Sequence, residues 1–356
     1  MKKTLLTICL VWMCFSLSAQ KIIDLSGKWS FSIDRQDNGE KEKWFSHTLN
    51  DFINLPGSMP EKLKGDEVTA KTQWTGSLYD SSYYYNPYME KYRKEGNIKF
   101  PFFLTPDKHY VGAAWYQKEV NIPADWKGER ILLFLERPHI ETTVWVNGQK
   151  TGMQNSLCVP HQYDITRYVR PGKCTITIRV DNRIKEINVG PDSHSITDQT
   201  QGNWNGIVGR ICLQTTPKTY FDDIQIYPEP EQKLARVKVV IKGTGTAKVK
   251  LSAESFNTDK KHIVPAIQQE IKLNKGVTET EMVLPMGNDM LLWDEFHPAL
   301  YKLKAEVTNG KKTEIKEIQF GMRRFEIKGK WFYVNGRKTQ LRGTVENCDF
   351  PLTGYA

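Results

Sequence analysis

Lys338-Thr-Gln-Leu-Arg-Gly-Thr-Val-Glu-Asn-Cys-Asp-Phe-Pro-Leu-Thr-Gly-Tyr-Ala356 closes the sequence, and the way this run is read sets the reading of everything before it. Thr339 to Leu341 suit a strand, and Arg342 to Asp349 put an Arg, a Glu, an Asn, a Cys and an Asp just past its C-terminal end. That end of a strand is where a (β/α)8 barrel keeps its catalytic groups. One strand cannot close a barrel. Residues 325–356 are therefore expected to be the truncated start of a barrel, poorly ordered in isolation from Lys338 onward and with an unpaired strand edge.

The segments upstream read as all-β. Trp29–Ile33, Ala114–Val120, Arg130–Leu135, Thr142–Val146, Thr175–Val180 and Gly209–Leu213 are strand-like runs, and several alternate with the period of two that suits a strand with one buried face. Asn147-Gly148 after Thr-Val-Trp-Val is a hairpin turn, since both residues tolerate positive φ, and Pro171-Gly172 marks another turn. Residues 22–217 are thus expected to form a jelly-roll sandwich. Residues 62–110 interrupt the rhythm with the aromatic-rich run Trp74–Tyr88 and a short helix expected over Met89–Glu95; loops this long inside a domain are usually functional or disordered, and so many aromatics argue against disorder. From 219 to 320 about seven short strands are expected, Phe221–Tyr227, Arg236–Ile241, Ala247–Ala253, Thr278–Leu284, Leu300–Val307 and Thr313–Phe320 among them. That spacing is the immunoglobulin-like pattern, here without its Cys–Trp–Cys core.

Composition narrows the class further. A 39% hydrophobic share with 11% aromatic supports ordinary cores in a 356-residue chain, and the net charge of +9 is scattered among acidic residues. A solvated surface, not a phosphate-binding stripe, follows, so no nucleic-acid partner is expected. Lys2 and Lys3, the apolar Leu5–Leu17 and the small Ser18-Ala19 form an export signal cleaved near Ala19, which places the mature protein in the periplasm or outside the cell. Thirteen apolar-leaning residues are too few to span a bilayer, so no membrane span is expected. Cys158, Cys174, Cys212 and Cys348 fit no zinc spacing; a Cys158–Cys174 disulfide and buried free thiols both remain open.

Several phrases, taken in order, resemble glycoside hydrolase family 2, the group holding β-galactosidases, β-glucuronidases and β-mannosidases. They are Leu25-Ser-Gly-Lys-Trp-Ser-Phe31, Asn54-Leu-Pro-Gly57, Ala114-Trp-Tyr-Gln-Lys-Glu-Val120, Trp145-Val-Asn-Gly148 and His161-Gln-Tyr-Asp164, followed by Val180-Asp-Asn-Arg183 and Asn205-Gly-Ile-Val-Gly-Arg-Ile211. Leu292-Trp-Asp-Glu-Phe-His-Pro-Ala-Leu-Tyr301, Phe320-Gly-Met-Arg-Arg-Phe325, Phe332-Tyr-Val-Asn-Gly336 and Leu341-Arg-Gly343 complete the series. The resemblance implies a galactose-binding-like jelly roll, an immunoglobulin-like sandwich and then a catalytic barrel. It implies a secreted retaining β-glycosidase acting on a β-linked glycan or glycoside, with no cofactor and with a homo-oligomer compatible with the full-length form.

Trp29, Trp115 and Trp145 read as core anchors, and Asp181-Asn182-Arg183 as a structural salt bridge at a strand end. Family 2 enzymes often send a first-domain loop over the barrel mouth, and Gln201–Asn205 sits where that loop falls. Asn203 and Asn205 beside Trp204 offer hydrogen bonds and a stacking face for a pyranose. Where many relatives carry Asn-Arg-His-Glu, this chain has Val345-Glu346-Asn347-Cys348, so Glu346 and Asn347 are expected to face substrate and the identity of the sugar is left open. The family's acid/base and nucleophilic glutamates fall on later strands, so no catalytic residue is assigned and the 356 residues alone are expected to be inactive. A non-catalytic carbohydrate-binding protein, or a scaffold of two sandwiches, is the alternative.

Overall fold

The computed structural model describes residues 21–75, 81–100, 104–157, 159–185, 198, 202–345 and 350–355. Residues 1–20, on which the expected export signal falls, lie outside them, as do Gln201, Glu346, Asn347, Cys158 and Cys348. Two compact units form: Lys21–Thr216 together with the run from Arg342, and Pro217–Leu341.

The first unit is built from β1 (Ile22–Asp24), β2 (Gly27–Asp34), β3 (Asp51–Leu55), β4 (Gly57–Ser58), β5 (Asp66–Glu67), β6 (Lys108–His109) and β7 (Ala113–Ile122). It continues with β8 (Arg130–Pro138), β9 (Glu141–Val146), β10 (Gln149–Asn155), β11 (His161–Asp164), β12 (Gly172–Asp181) and β13 (Gly206–Thr216). One sheet runs β1-β13-β8-β11 with β4 also on β13, and the other runs β10-β9-β12-β7-β2-β3. The two inner faces share one core, with Trp29, Phe31, Tyr116 and Ile178 from one sheet meeting Leu133, Leu135, Ile211 and Leu213 from the other. Trp115 and Trp145 turn to the opposite face of their sheet, where Leu49, Trp44 and Phe45 cover them. All three strand tryptophans are buried, as core anchors should be. Asn147 and Gly148 take positive φ (50° and 76°) and close the β9–β10 hairpin. In the long insert the helical turns lie at Ser82–Tyr85 and Pro87–Tyr92, earlier than the expected Met89–Glu95, because Pro87 opens a first turn that the Asn86 side chain caps.

The second unit contains β14 (Tyr220–Glu229), β15 (Leu234–Ser255), β16 (Ile263–Pro285), β17 (Tyr301–Asn309) and β18 (Lys312–Phe320). β15 and β16 are each long enough to serve twice. β14 pairs with the first half of β15, β17 with the second half, and β16 with nearly its whole length. The pairing slips between Gly243 and Gly245, opposite Gly276. Both halves point their apolar side chains into one core, Val237, Val239 and Ile241 from the first and Val249, Leu251 and Ala253 from the second. The expected strands at Arg236–Ile241 and Ala247–Ala253 are these two halves. The first half of β16 was not expected, since Pro265 and the polar Gln268-Gln-Glu270 obscure its alternation.

β19 (Phe325–Lys328), β20 (Trp331–Val334) and β21 (Arg337–Thr339) make a separate three-stranded sheet. The strand expected over Thr339–Leu341 therefore ends at Thr339. β21 is paired to β20 on one side and is the outer strand of its sheet, and residues 350–355 lie against the first unit.

Gly243 lets the β15 backbone pass Thr219, since a Cβ there would lie 2.5 Å from Thr219 Oγ1 and 3.0 Å from its Cβ. Gly243→Val is expected to destabilise the second unit by about 2 kcal/mol through overpacking. A urea titration followed by the second unit's own unfolding transition measures this, with the first unit's transition unmoved.

Candidate functional site

The sequence-predicted site falls where β12 ends and β13 begins. Asn205 is fully buried there. Its Nδ2 donates to Gly112 O at 2.9 Å and to Val180 O at 3.0 Å, while its Oδ1 accepts from Tyr116 OH at 2.7 Å. Its own carbonyl accepts from Met59 N at 2.7 Å. One residue thus ties together the β6–β7 connection, β7, the end of β12 and the turn after β4.

Asn182 and Asn203 extend the knot. Asn182 Oδ1 accepts from Gly112 N at 2.8 Å, and its Nδ2 donates to Tyr110 O at 2.9 Å and to Asn203 Oδ1 at 3.0 Å. Asn203 Nδ2 returns a bond to Asn182 O at 3.0 Å and reaches Thr75 Oγ1 at 2.8 Å. The buried Asp198 carboxylate accepts from Asn203 N (2.6 Å) and Thr75 N (2.7 Å) and faces His109 Nε2 at 3.3 Å. Buried polar groups need such partners because desolvation without them is costly. Asn203 and Asn205, expected to meet a sugar, have both amides enclosed and bonded to protein groups.

Trp204 is also covered, leaving no open stacking face. His139 stacks on it with ring centroids 4.6 Å apart and an interplanar angle of 17°, and Tyr355 lies 5.5 Å away. Burial pushes the His139 imidazole down to about 4, and Asn203 and the charge of Asp198 oppose that only in part. Its Nε2 has no hydrogen-bond partner among the described residues.

Next to the knot, Asp181-Asn182-Arg183 carries the expected salt bridge, and more. Asp181 is fully buried between Arg183 (2.5 Å), Lys185 (2.8 Å) and Arg179 (3.0 Å). Asp37 bridges Arg179 and Arg183 at 2.6 Å each, and Glu141 takes Arg179 and Lys185. Burial alone would raise the Asp181 carboxyl, but hydrogen bonds from Arg183 and Lys185 and the charge of Arg179 hold it well below the usual range. Three cations meet three carboxylates, so the cluster is a neutral brace with no surplus charge to offer a ligand. Cys174 and Cys212 are buried free thiols, the first pushed up to about 11 by burial. Among the described residues no group of His, Cys, Asp and Glu is arranged to hold a metal ion.

Sequence reasoning missed Asp198, His109 and His139. Partners far off in the chain place them: Thr75 and His109 for Asp198, and Trp204 for His139. Glu346 and Asn347 fall outside the described residues.

Family comparison agrees with the order of these elements. Residues 22–217 match the model for the sugar binding domain of glycosyl hydrolases family 2, and residues 219–323 match a second family 2 domain. The chain belongs to glycoside hydrolase family 2. A β-glucuronidase of Paenibacillus borealis is 24% identical over 355 residues, covering 94% of this chain and 51% of the relative. A β-galactosidase large subunit of Latilactobacillus sakei is 24% identical over 339 residues, covering 93% and 51%. In fold, the chain is similar to the β-glucuronidase of Ruminococcus gnavus bound to D-glucaro-d-lactam, with a TM-score of 0.63 at 19% identity over 92% of this chain and 49% of that one. This family 2 chain spans about half the length of the curated relatives it matches.

Two measurements probe the knot. Asn205→Ala removes the amide's bonds to Gly112 O, Val180 O and Tyr116 OH in the core, and is expected to cost about 3 kcal/mol in urea unfolding of the first unit. The second is pH dependence. His139 titrates near 6.5 when unfolded and about 4 when folded, so the unfolded state binds the proton first and stability falls as pH drops through that window. Between about pH 7 and pH 5 one such group costs about 2 kcal/mol. His139→Phe keeps a ring on Trp204 and is expected to remove that part of the slope in pH-resolved unfolding, leaving the part due to His161, which burial also lowers.

Proposed function

We propose that this chain is the N-terminal region of an exported, retaining β-glycosidase, and that its complete form hydrolyses β-linked glycans or glycosides. The observation that carries this is the succession of two family 2 domain matches, continued in sequence by Leu341-Arg342-Gly343. Lys2-Lys3, Leu5–Leu17 and Ser18-Ala19 support export, and among the described residues no helix is long and apolar enough to cross a membrane. β-Glucuronides and β-galactosides are the first substrates to try, after the names of the relatives.

In this reading residues 325–356 lead into a catalytic barrel, and Glu346 and Asn347 stand past its first strand as substrate-facing groups. Double displacement needs two carboxyl groups about 5–5.5 Å apart, one to protonate the leaving oxygen and one to attack the anomeric carbon. The two glutamates of the family pattern have no counterpart in these residues, so the sandwiches serve as a frame that places the barrel and not as its chemistry. Asn203, Trp204 and Asn205 contribute by holding the loop before β13 in place.

A second reading, glycan binding without hydrolysis, draws on the sugar-binding character of the family's first domain. Incubating the 356-residue protein with aryl β-glucuronides and β-galactosides is expected to release no phenol above background. Hydrolysis that persists in Glu346→Gln would overturn the proposal. Calorimetric titration with the same glycosides separates the second reading, which requires saturable heat.

A further inference from the structure

Residues 350–355 do more than end the described chain; they fit a prepared surface of the first unit. Gly354 N donates to Phe350 O at 2.7 Å, which curls the segment into a turn with Gly354 at φ 80°. Gly354 then lies flat against the Trp204 indole, where a Cβ would come within 2.7 Å of Cγ and 2.9 Å of Cβ. On one side Ser58 Oγ donates to Thr353 O at 2.5 Å, and Ser58 is fully buried. On the other, Tyr355 OH donates to Glu61 Oε2 at 2.5 Å, and its ring meets Trp204. Burial first, and then the Glu61 carboxylate, pushes the Tyr355 hydroxyl up to about 12, so it stays a donor at neutral pH.

The receiving groups are fixed from behind. Ser58 is paired to Gly206 in the β4–β13 ladder, Met59 N is bound to Asn205 O, and His139 stacks on Trp204. A rigid aromatic face flanked by one hydroxyl donor and one carboxylate acceptor matches a turn that offers a carbonyl, a bare glycine and a phenol. Every element of the match is specific, because any residue but glycine at 354 would meet both an unfavourable φ and the indole.

We infer that Ser58, Glu61 and Trp204 form a docking seat for residues 350–355 of the same chain, tethering these residues to the first sandwich. Trp204 is then an anchor for protein, in place of the sugar platform its sequence setting implied. This goes beyond the glycosidase reading and stands or falls separately from it, since no substrate enters the test.

Hydrogen exchange read by mass spectrometry on the full chain decides the matter. Amides of 350–355 are expected to exchange at least about tenfold slower than an unfolded peptide, and Gly354→Val to abolish that protection while β8 and β13 exchange as before. Tyr355→Ala, which touches only the tail's side of the contact, is expected to lower protection by a smaller factor and guards against a misfolded glycine variant. Unprotected amides in the parent chain, or protection untouched by both substitutions, would overturn the seat.

Discussion

The Asn205 side chain is the constraint on which the first sandwich depends. An amide has two donors and an acceptor with a fixed angle between them, and here all are used: two carbonyls on separate segments and the Tyr116 hydroxyl. Inside a low-dielectric core such bonds are strong when complete and costly when broken. Geometry therefore allows the β6–β7 connection, β7, the end of β12 and the start of β13 only one mutual arrangement. Asn182 and Asn203 pass the constraint outward to Thr75 and Asp198, and Trp204, caught between Asn203 and Asn205 in sequence, must present its ring where His139 and Gly354 meet it.

Much of the fold was legible because apolar alternation and turn chemistry are local. Asn147-Gly148, the strands around Trp29, Trp115 and Trp145, and the two halves of β15 all announce themselves within ten residues. What escaped was short or irregular. β11 has only four residues, and β10 carries a register slip at Gly152 that breaks its period. The enclosure of Asn203 and Asn205 was not legible. Two amides beside a tryptophan read the same whether they face a sugar or close carbonyls in a core, since burial is decided by partners far off in the chain. The tail is the extreme case, with Ser58 and Thr353 separated by 295 positions.

The two units reach stability by different means. The first combines a shared apolar core with a buried amide knot and a neutral six-member charge brace around Asp181, so that breaking one partner leaves others stranded. The second relies on two unusually long strands whose halves cover a common core, with glycines where the ladder slips. Rigidity in the first unit bears on the proposed seat at Trp204, which can hold residues 350–355 only if its own groups do not move.

The account rests on the Asn203 and Asn205 amides being committed to protein. Side-chain hydrogen exchange in a selectively 15N-asparagine-labelled sample, recorded with and without a saturating β-glycoside, tests this most directly. Protected Nδ2 protons at both residues, with shifts unmoved by the sugar, are the predicted result. Exchange at the rate of a free amide, or resonances that follow the sugar titration, would contradict it.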